Sequence, residues 1–239
     1  GGEATMIRQA ENLREEKSHS VSLSADMYRR FGAFQCNLLL EGFYTRLNHV
    51  FVLEEIGKDE EHNAVIKERR NGQGAEVAGV TVEGKVAYLS LVQLQAGVTW
   101  QKSHYTRPEK WSKDSSVPAE KRIFRTPDWY GYFTATYSPV KPLNIALSGT
   151  YTGSMIVQHM KGYIPKDMAV TTPDFFDMNL KISYDFSLYK FITLQLNAGV
   201  QNIFNAYQRD FDQGKERDSG YIYGSSMPRS YFAGAKLMF

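Results

Sequence analysis

The chain has 239 residues, with 28 basic against 26 acidic side chains and a net charge of +2, a balance that excludes nucleic acid as an expected partner. Its 15 Tyr, 14 Phe and 19 Gly accompany a mean hydropathy of −0.41, a combination that points to two-faced strands joined by polar loops. Cys36 is the only cysteine, which excludes an internal disulfide and cysteine-cluster metal sites, and no apolar run approaches the ~18 residues of a membrane-spanning helix.

Strands are predicted wherever apolar and polar side chains alternate, because successive side chains in a strand point to opposite faces. The first sets Val21, Leu23, Ala25 and Met27 against Ser20, Ser22, Ser24 and Asp26. Cys36, Leu38, Leu40, Gly42 and Tyr44 then oppose Gln35, Asn37, Leu39, Glu41 and Phe43, less cleanly. Val80, Val82 and Val86 mark a weaker strand. Val92 to Trp100 alternates well, and Trp129 to Tyr137 is an aromatic strand. Leu143 to Thr152, Phe176 to Phe186 and Ile192 to Gln201 separate into clean apolar and polar sets, and Arg229 to Phe239 ends the chain. About nine strands result.

The connections alternate short and long. Short ones fall at Arg29–Ala33, Ala87–Ser90, Ser138–Pro142 and Ser187–Lys190, and long ones at Leu53–Gly74, Gln101–Asp128, Gly153–Asp174 and Asn205–Pro228. Loops of this length are uncommon inside compact domains. Strict alternation places all of them at one end of an up-and-down sheet, the asymmetry of an outer-membrane barrel with tight periplasmic turns and long extracellular loops. Charge partitions accordingly, with Glu54, Glu55, Lys58 to Glu61 and Lys67 to Arg70 gathered in one long loop. Trp100, Trp129, Tyr130, Tyr132, Tyr137, Tyr184, Phe186, Phe191 and Tyr231 cluster near strand ends. An interfacial girdle accounts for that clustering, and so does the ordinary preference of Tyr and Phe for sheets. A soluble β-sandwich would show the same alternation, with its apolar face turned inward.

No nucleophile-elbow, zinc-protease or P-loop motif is present, so no catalytic residue is expected and the chain is read as a non-enzyme. His62, His104 and His159 fall in long connections, where they are either haem or chelate contacts or solvated side chains. Asp210, Asp212, Glu216 and Asp218 form either a calcium-holding group or a solvated charged loop. No resident metal or cofactor is expected.

Four stretches resemble the TonB-dependent receptors, particularly those of Bacteroidetes-type bacteria. Arg229-Ser-Tyr-Phe-Ala-Gly-Ala-Lys-Leu-Met-Phe239 resembles the terminal strand read by the barrel-assembly machinery, through Gly234, Leu237 and Phe239, although Phe232 stands where a polar residue is usual. Gly199-Val-Gln-Asn-Ile-Phe-Asn-Ala-Tyr-Gln208 resembles the penultimate strand. Asn12 to Ser18 resembles a segment leading into a downward strand, with Glu15 in place of the usual proline. Glu68 to Val77 resembles a passage from loop to strand.

The resemblance implies an all-β, antiparallel up-and-down transmembrane barrel. Residues 1–239 would form the C-terminal portion, about nine strands of a barrel with roughly 22. The plug domain and TonB box are expected on preceding sequence, as is an export signal, and Gly1–Gly2 is read as an internal start or an expression remnant. Implied partners are outer-membrane lipid, the TonB complex through the N-terminal part, the barrel-assembly machinery, and a bulky nutrient such as an iron-siderophore, haem or cobalamin. Ligand contacts implied at the loops are Arg69, Arg70, Tyr105, Arg107, Trp111, Arg125, Arg217, Tyr221 and Tyr223, since Arg and aromatic side chains suit anionic or planar ligands. The rival functions are a soluble β-sandwich binding module and an outer-membrane barrel hydrolase.

Overall fold

The computed structural model describes residues 4–49, 51–225 and 227–239; Gly1 and Gly2 lie outside them. The described residues hold strands and no helix. In chain order the strands are β1 (Ala4–Gln9), β2 (Lys17–Phe31), β3 (Phe34–Asn48), β4 (Phe51–Asp59), β5 (Ala64–Asn71), β6 (Ala75–Tyr88), β7 (Val92–Glu109) and β8 (Glu120–Arg122). They continue with β9 (Trp129–Tyr137), β10 (Leu143–Thr152), β11 (Ile156–His159), β12 (Met168–Thr171), β13 (Phe175–Tyr189), β14 (Ile192–Gln201) and β15 (Ser230–Met238).

Nine of these form one antiparallel meander in the order β2-β3-β6-β7-β9-β10-β13-β14-β15, with β8 attached to β7. They are the nine strands expected from the alternation, and all but the last are as long as their apolar signatures or longer. The connections 32–33, 89–91, 138–142 and 190–191 all lie at one end. The connections 49–74, 110–128, 153–174 and 202–229 all lie at the other. The first tight turn depends on Gly32, whose φ of +58° is costly for any side chain with a Cβ. Among the described residues β2 and β15 each have a pairing partner on one side only.

Register fixes the faces. Leu40 stands opposite Val82, Val82 opposite Val98, Leu147 opposite Leu180, Ile182 opposite Ala198 and Leu194 opposite Leu237. One face is therefore apolar from edge to edge, and none of the described residues covers it. Leu40, Val98, Ile182 and Leu196 are 49%, 42%, 41% and 44% exposed. A water-soluble sandwich would bury these side chains at roughly 1.5–3 kcal/mol each. Their continuous exposure instead suits a hydrocarbon solvent. The buried apolar residues, Ala64, Ala75, Tyr105, Val117, Ile156, Val157 and Tyr221, all lie at the long-loop end.

The opposite face carries polar side chains that bond across strands. Thr81 and Thr99 share a hydrogen bond of 2.8 Å, and Gln195 Nε2 donates to Asp185 at 2.9 Å. Glu83 accepts from both Gln95 Nε2 and Tyr132 Oη at 2.5 Å. Tyr132, together with Tyr130, thus belongs to this inner face, which corrects their place in the expected girdle. Trp100 and Trp129 do face outward, 6.3 Å apart between ring centroids. Phe232, the departure from the usual terminal-strand pattern, lies on the inner face opposite Gly199. Its ring fills the space where a Cβ on Gly199 would sit, 2.4 Å from Phe232 Cζ, so an aromatic replaces the polar residue by covering a glycine.

Three of the four stretches expected to be loops contain strands. Within Leu53–Gly74, β4 and β5 form a hairpin, and β1 joins β5 in parallel. Within Gln101–Asp128, β7 continues to Glu109 and β8 pairs back onto it. Within Gly153–Asp174, β11 and β12 form a short hairpin. These segments rise beyond the apolar band, so neither face needs to be uniformly apolar and the two-residue alternation that betrays a strand fades.

Candidate functional site

At the loop end the continuation of β7, the β4–β5 hairpin and the last two long loops converge on a cleft of about 380 Å³. Of the residues expected to touch ligand, Tyr105, Trp111 and Arg125 line it. Tyr105 reaches it from the inner face of β7 and is 9% exposed; burial first, and then Glu109, push its phenol above the usual range. Trp111 donates through Nε1 to the Pro118 carbonyl at 3.2 Å and packs edge-on against Phe124 at 5.2 Å. Arg125 holds a left-handed φ of +58° and donates to the carbonyls of Gly220 and Ile222 at 2.7 and 2.6 Å, pinning the last loop to the rim.

Lys67 and Lys110 also line the cleft and enter no ion pair among the described residues. The alternation gave no signal for either, because both lie in segments of mixed charge. Aromatic walls with two ammonium groups that have no ion-pair partner among the described residues give a site suited to a planar or aromatic anion. Glu109 and Asp218 are the acidic members, and neither faces the cleft as a free charge. Glu109 accepts from Arg70 Nη2 at 3.1 Å and from the Gln73 amide at 3.0 Å. Asp218 accepts from the Met160 and Gly220 amides at 2.8 and 2.9 Å.

The remaining expected contacts stand elsewhere. Arg70 bridges Glu54 at 2.6 Å and Glu109, and these carboxylates outweigh the cost of burial to raise its pKa. Arg69 sits within the small sheet, opposite Gln9 and Leu53. Arg107 is exposed on the extension of β7, and Arg217 donates to the Gly214 carbonyl at 2.9 Å. Tyr221 is 2% exposed, with its ring stacked on His159 at 3.7 Å. Tyr221 and Tyr223 both donate to Asp210, and burial followed by that carboxylate raises both phenols far above their usual range.

His159 is 8% exposed, and its Nε2 lies 2.8 Å from both oxygens of Asp212. The acidic loop expected either to hold calcium or to be solvated therefore places Asp210, Asp212 and Asp218 against tyrosine, imidazole and amide donors. His62 meets Asp59 at 2.7 Å on the tip of the β4–β5 hairpin, with Glu61 beside them. The imidazole, aided by backbone amides, lowers the Asp59 pKa against the effect of burial. Sequence spacing could not reveal the His159–Asp212 pair, whose members are 53 residues apart.

The family model described as TonB dependent receptor-like, beta-barrel matches residues 1–203. No curated protein matches the chain. Among solved structures it is similar to the ferric-catecholate import receptor Fiu of E. coli K12, with 16% identity over 96% of this chain and 28% of that one, at a TM-score of 0.61. The ferric enterobactin receptor PfeA of Pseudomonas aeruginosa gives 16% identity over 99% and 34%, at 0.60. The FrpB iron transporter of Neisseria meningitidis gives 13% over 98% and 33%, at 0.57. The chain spans about a third of the length of these structures. Taken with the bare apolar face and the one-ended loops, the family match over residues 1–203 establishes that this chain belongs to the TonB-dependent receptor β-barrel family of the bacterial outer membrane.

Proposed function

We propose that the chain is the C-terminal wall and part of the extracellular mouth of a receptor that imports a bulky anionic iron-siderophore chelate. In this reading Lys67, Lys110, Tyr105 and Trp111 hold the ligand, while Arg125 positions the last loop at the rim. The observation that carries the reading is the cleft that joins aromatic walls to the ammonium groups of Lys67 and Lys110 at the loop end. The iron and ferric-chelate receptor functions named for the structurally similar proteins support it.

Recognition is binding without covalent chemistry. Energy for release would come from the TonB complex acting on a plug domain carried by preceding sequence. The exposed apolar face meets outer-membrane lipid. The free edge of β15, with Gly234 opposite Asn197, Leu237 facing outward and Phe239 88% exposed at its end, would be presented to the barrel-assembly machinery during insertion.

The test is growth of a receptor-deletion strain, complemented with the full-length gene, on siderophore-iron, haem-iron or cobalamin as sole source. Growth restored on a siderophore chelate, and lowered about tenfold in binding by K67A/K110A, is the expected outcome, taking roughly 0.5–1 kcal/mol for each exposed cation over an aromatic ligand. Growth on haem or cobalamin alone would overturn the ligand assignment.

A further inference from the structure

We propose that the short-turn end of the barrel is a docking band for the phosphate headgroups of anionic phospholipids in the leaflet it faces. The proposal rests on the family's outer-membrane placement, with tight turns on the periplasmic side. Residues 28–33, 87–91, 137–142 and 187–191, which cover the four turns and their flanks, contain Arg29, Arg30, Lys141 and Lys190 and no Asp or Glu.

None of these four cations enters an ion pair among the described residues. The Arg29 guanidinium donates to the Tyr28 carbonyl at 3.1 Å and that of Arg30 to the Gly32 carbonyl at 3.4 Å. The opposite end is built differently. There Arg46 meets Glu76 at 3.3 Å, Lys102 meets Asp128 at 3.4 Å and Arg122 meets Glu120 at 3.0 Å, so these three cations have carboxylates of their own.

Exposed apolar side chains neighbour these cations in the chain. Phe31, Val140, Leu188 and Phe191 are 63%, 52%, 56% and 80% exposed. A ring of exposed apolar groups seats itself at the boundary of acyl chains and headgroups, and long cationic side chains beside it extend to the phosphates. An acidic protein would satisfy the charges but leave those apolar groups in water; a lipid headgroup with its acyl chain satisfies both. Each cation so placed favours anionic over zwitterionic lipid by several-fold, and salt screens the effect.

The experiment is native mass spectrometry of the full-length receptor, released from mixed micelles containing equal phosphatidylglycerol and phosphatidylcholine, with retained lipids counted. The wild type is expected to retain phosphatidylglycerol several-fold over phosphatidylcholine. The variant R29Q/R30Q/K141Q/K190Q is expected to bring the ratio close to one, and K102Q at the opposite end to leave it unchanged. If the fourfold variant does not insert, R29Q/R30Q and K141Q/K190Q separately should each remove part of the preference. Equal retention of the two lipids by wild type, an unchanged ratio in the turn variants, or an equal fall in K102Q would overturn the proposal. A wild type that fails to insert at all would count against the barrel reading itself, a separate result.

Discussion

Leu196 and Gln195 are adjacent in the chain and stand in different solvents. Leu196 points outward from β14 between Tyr184 and Ala235, while Gln195 points inward and bonds Asp185. Arginine at position 196 should cost about 2–4 kcal/mol near the middle of the bilayer. Arginine at position 195 meets a carboxylate and an aqueous interior. Leu196→Arg is therefore expected to cut the membrane-inserted yield severalfold and Gln195→Arg to leave it close to wild type, as read by heat-modifiable gel migration; equal yields would reverse the face assignment. Gly149 makes a second test, because a Cβ there would lie 2.3 Å from the Phe133 ring. Gly149→Ala should destabilise by roughly 1–3 kcal/mol through overpacking, and Phe133→Ala in the same chain should recover part of it. The absence of recovery in a double-mutant cycle would assign the cost to the backbone. At this scale the sequence was readable wherever the face is uniform. It misled at Tyr130 and Tyr132, where residue type suggested a girdle but strand parity turns both rings inward.

Among the elements, the β4–β5 hairpin is tied to the barrel through Arg70, which joins Glu54 to a Glu109 only 6% exposed. Arg70→Ala strands a buried carboxylate. A fully buried pair would cost about 3–5 kcal/mol to break, and partial exposure of Arg70 and Glu54 reduces this to roughly 1–3 kcal/mol. Faster proteolysis at residues 59–63, without loss of the barrel, is the expected result. The last loop is held by Tyr221 and Tyr223 on Asp210. Because folding raises both phenol pKa values above the usual 10.0, their contribution is complete below that pH and declines as pH rises beyond it. Tyrosinate absorbance should consequently appear at lower pH in Asp210→Asn; an unchanged titration would remove Asp210 as the cause. The nine barrel strands were legible because lipid on one side and water on the other impose strict alternation. β1, β4, β5, β8, β11 and β12 were not, since all of them lie where no single solvent dictates a face. The cleft was legible in part: Tyr105, Trp111 and Arg125 have the residue types that ligand binding favours, whereas Lys67 and Lys110 gain meaning only from the convergence of distant segments.

For the molecule as a whole, the open edges of β2 and β15 dominate behaviour outside its natural setting. β2 pairs with β3 on one side and offers an open edge along its other side over fifteen residues, including Val21 and Leu23 at 72% and 81% exposure. The 239-residue chain refolded alone in detergent is expected to cross-link as oligomers, and a monomer with full β-content would show that these edges can be satisfied internally. The unequal ends of the meander also set a sequence of events in time. Closing the two-residue turn at 32–33 costs on the order of 2 kcal/mol less chain entropy than closing the 26-residue connection at 49–74. Each tight-turn pair, β2–β3, β6–β7, β9–β10 and β13–β14, can therefore zip early and by itself. Joining one zipped pair to the next waits on the slow search of a long tether, so the long-loop end is the last part to take shape.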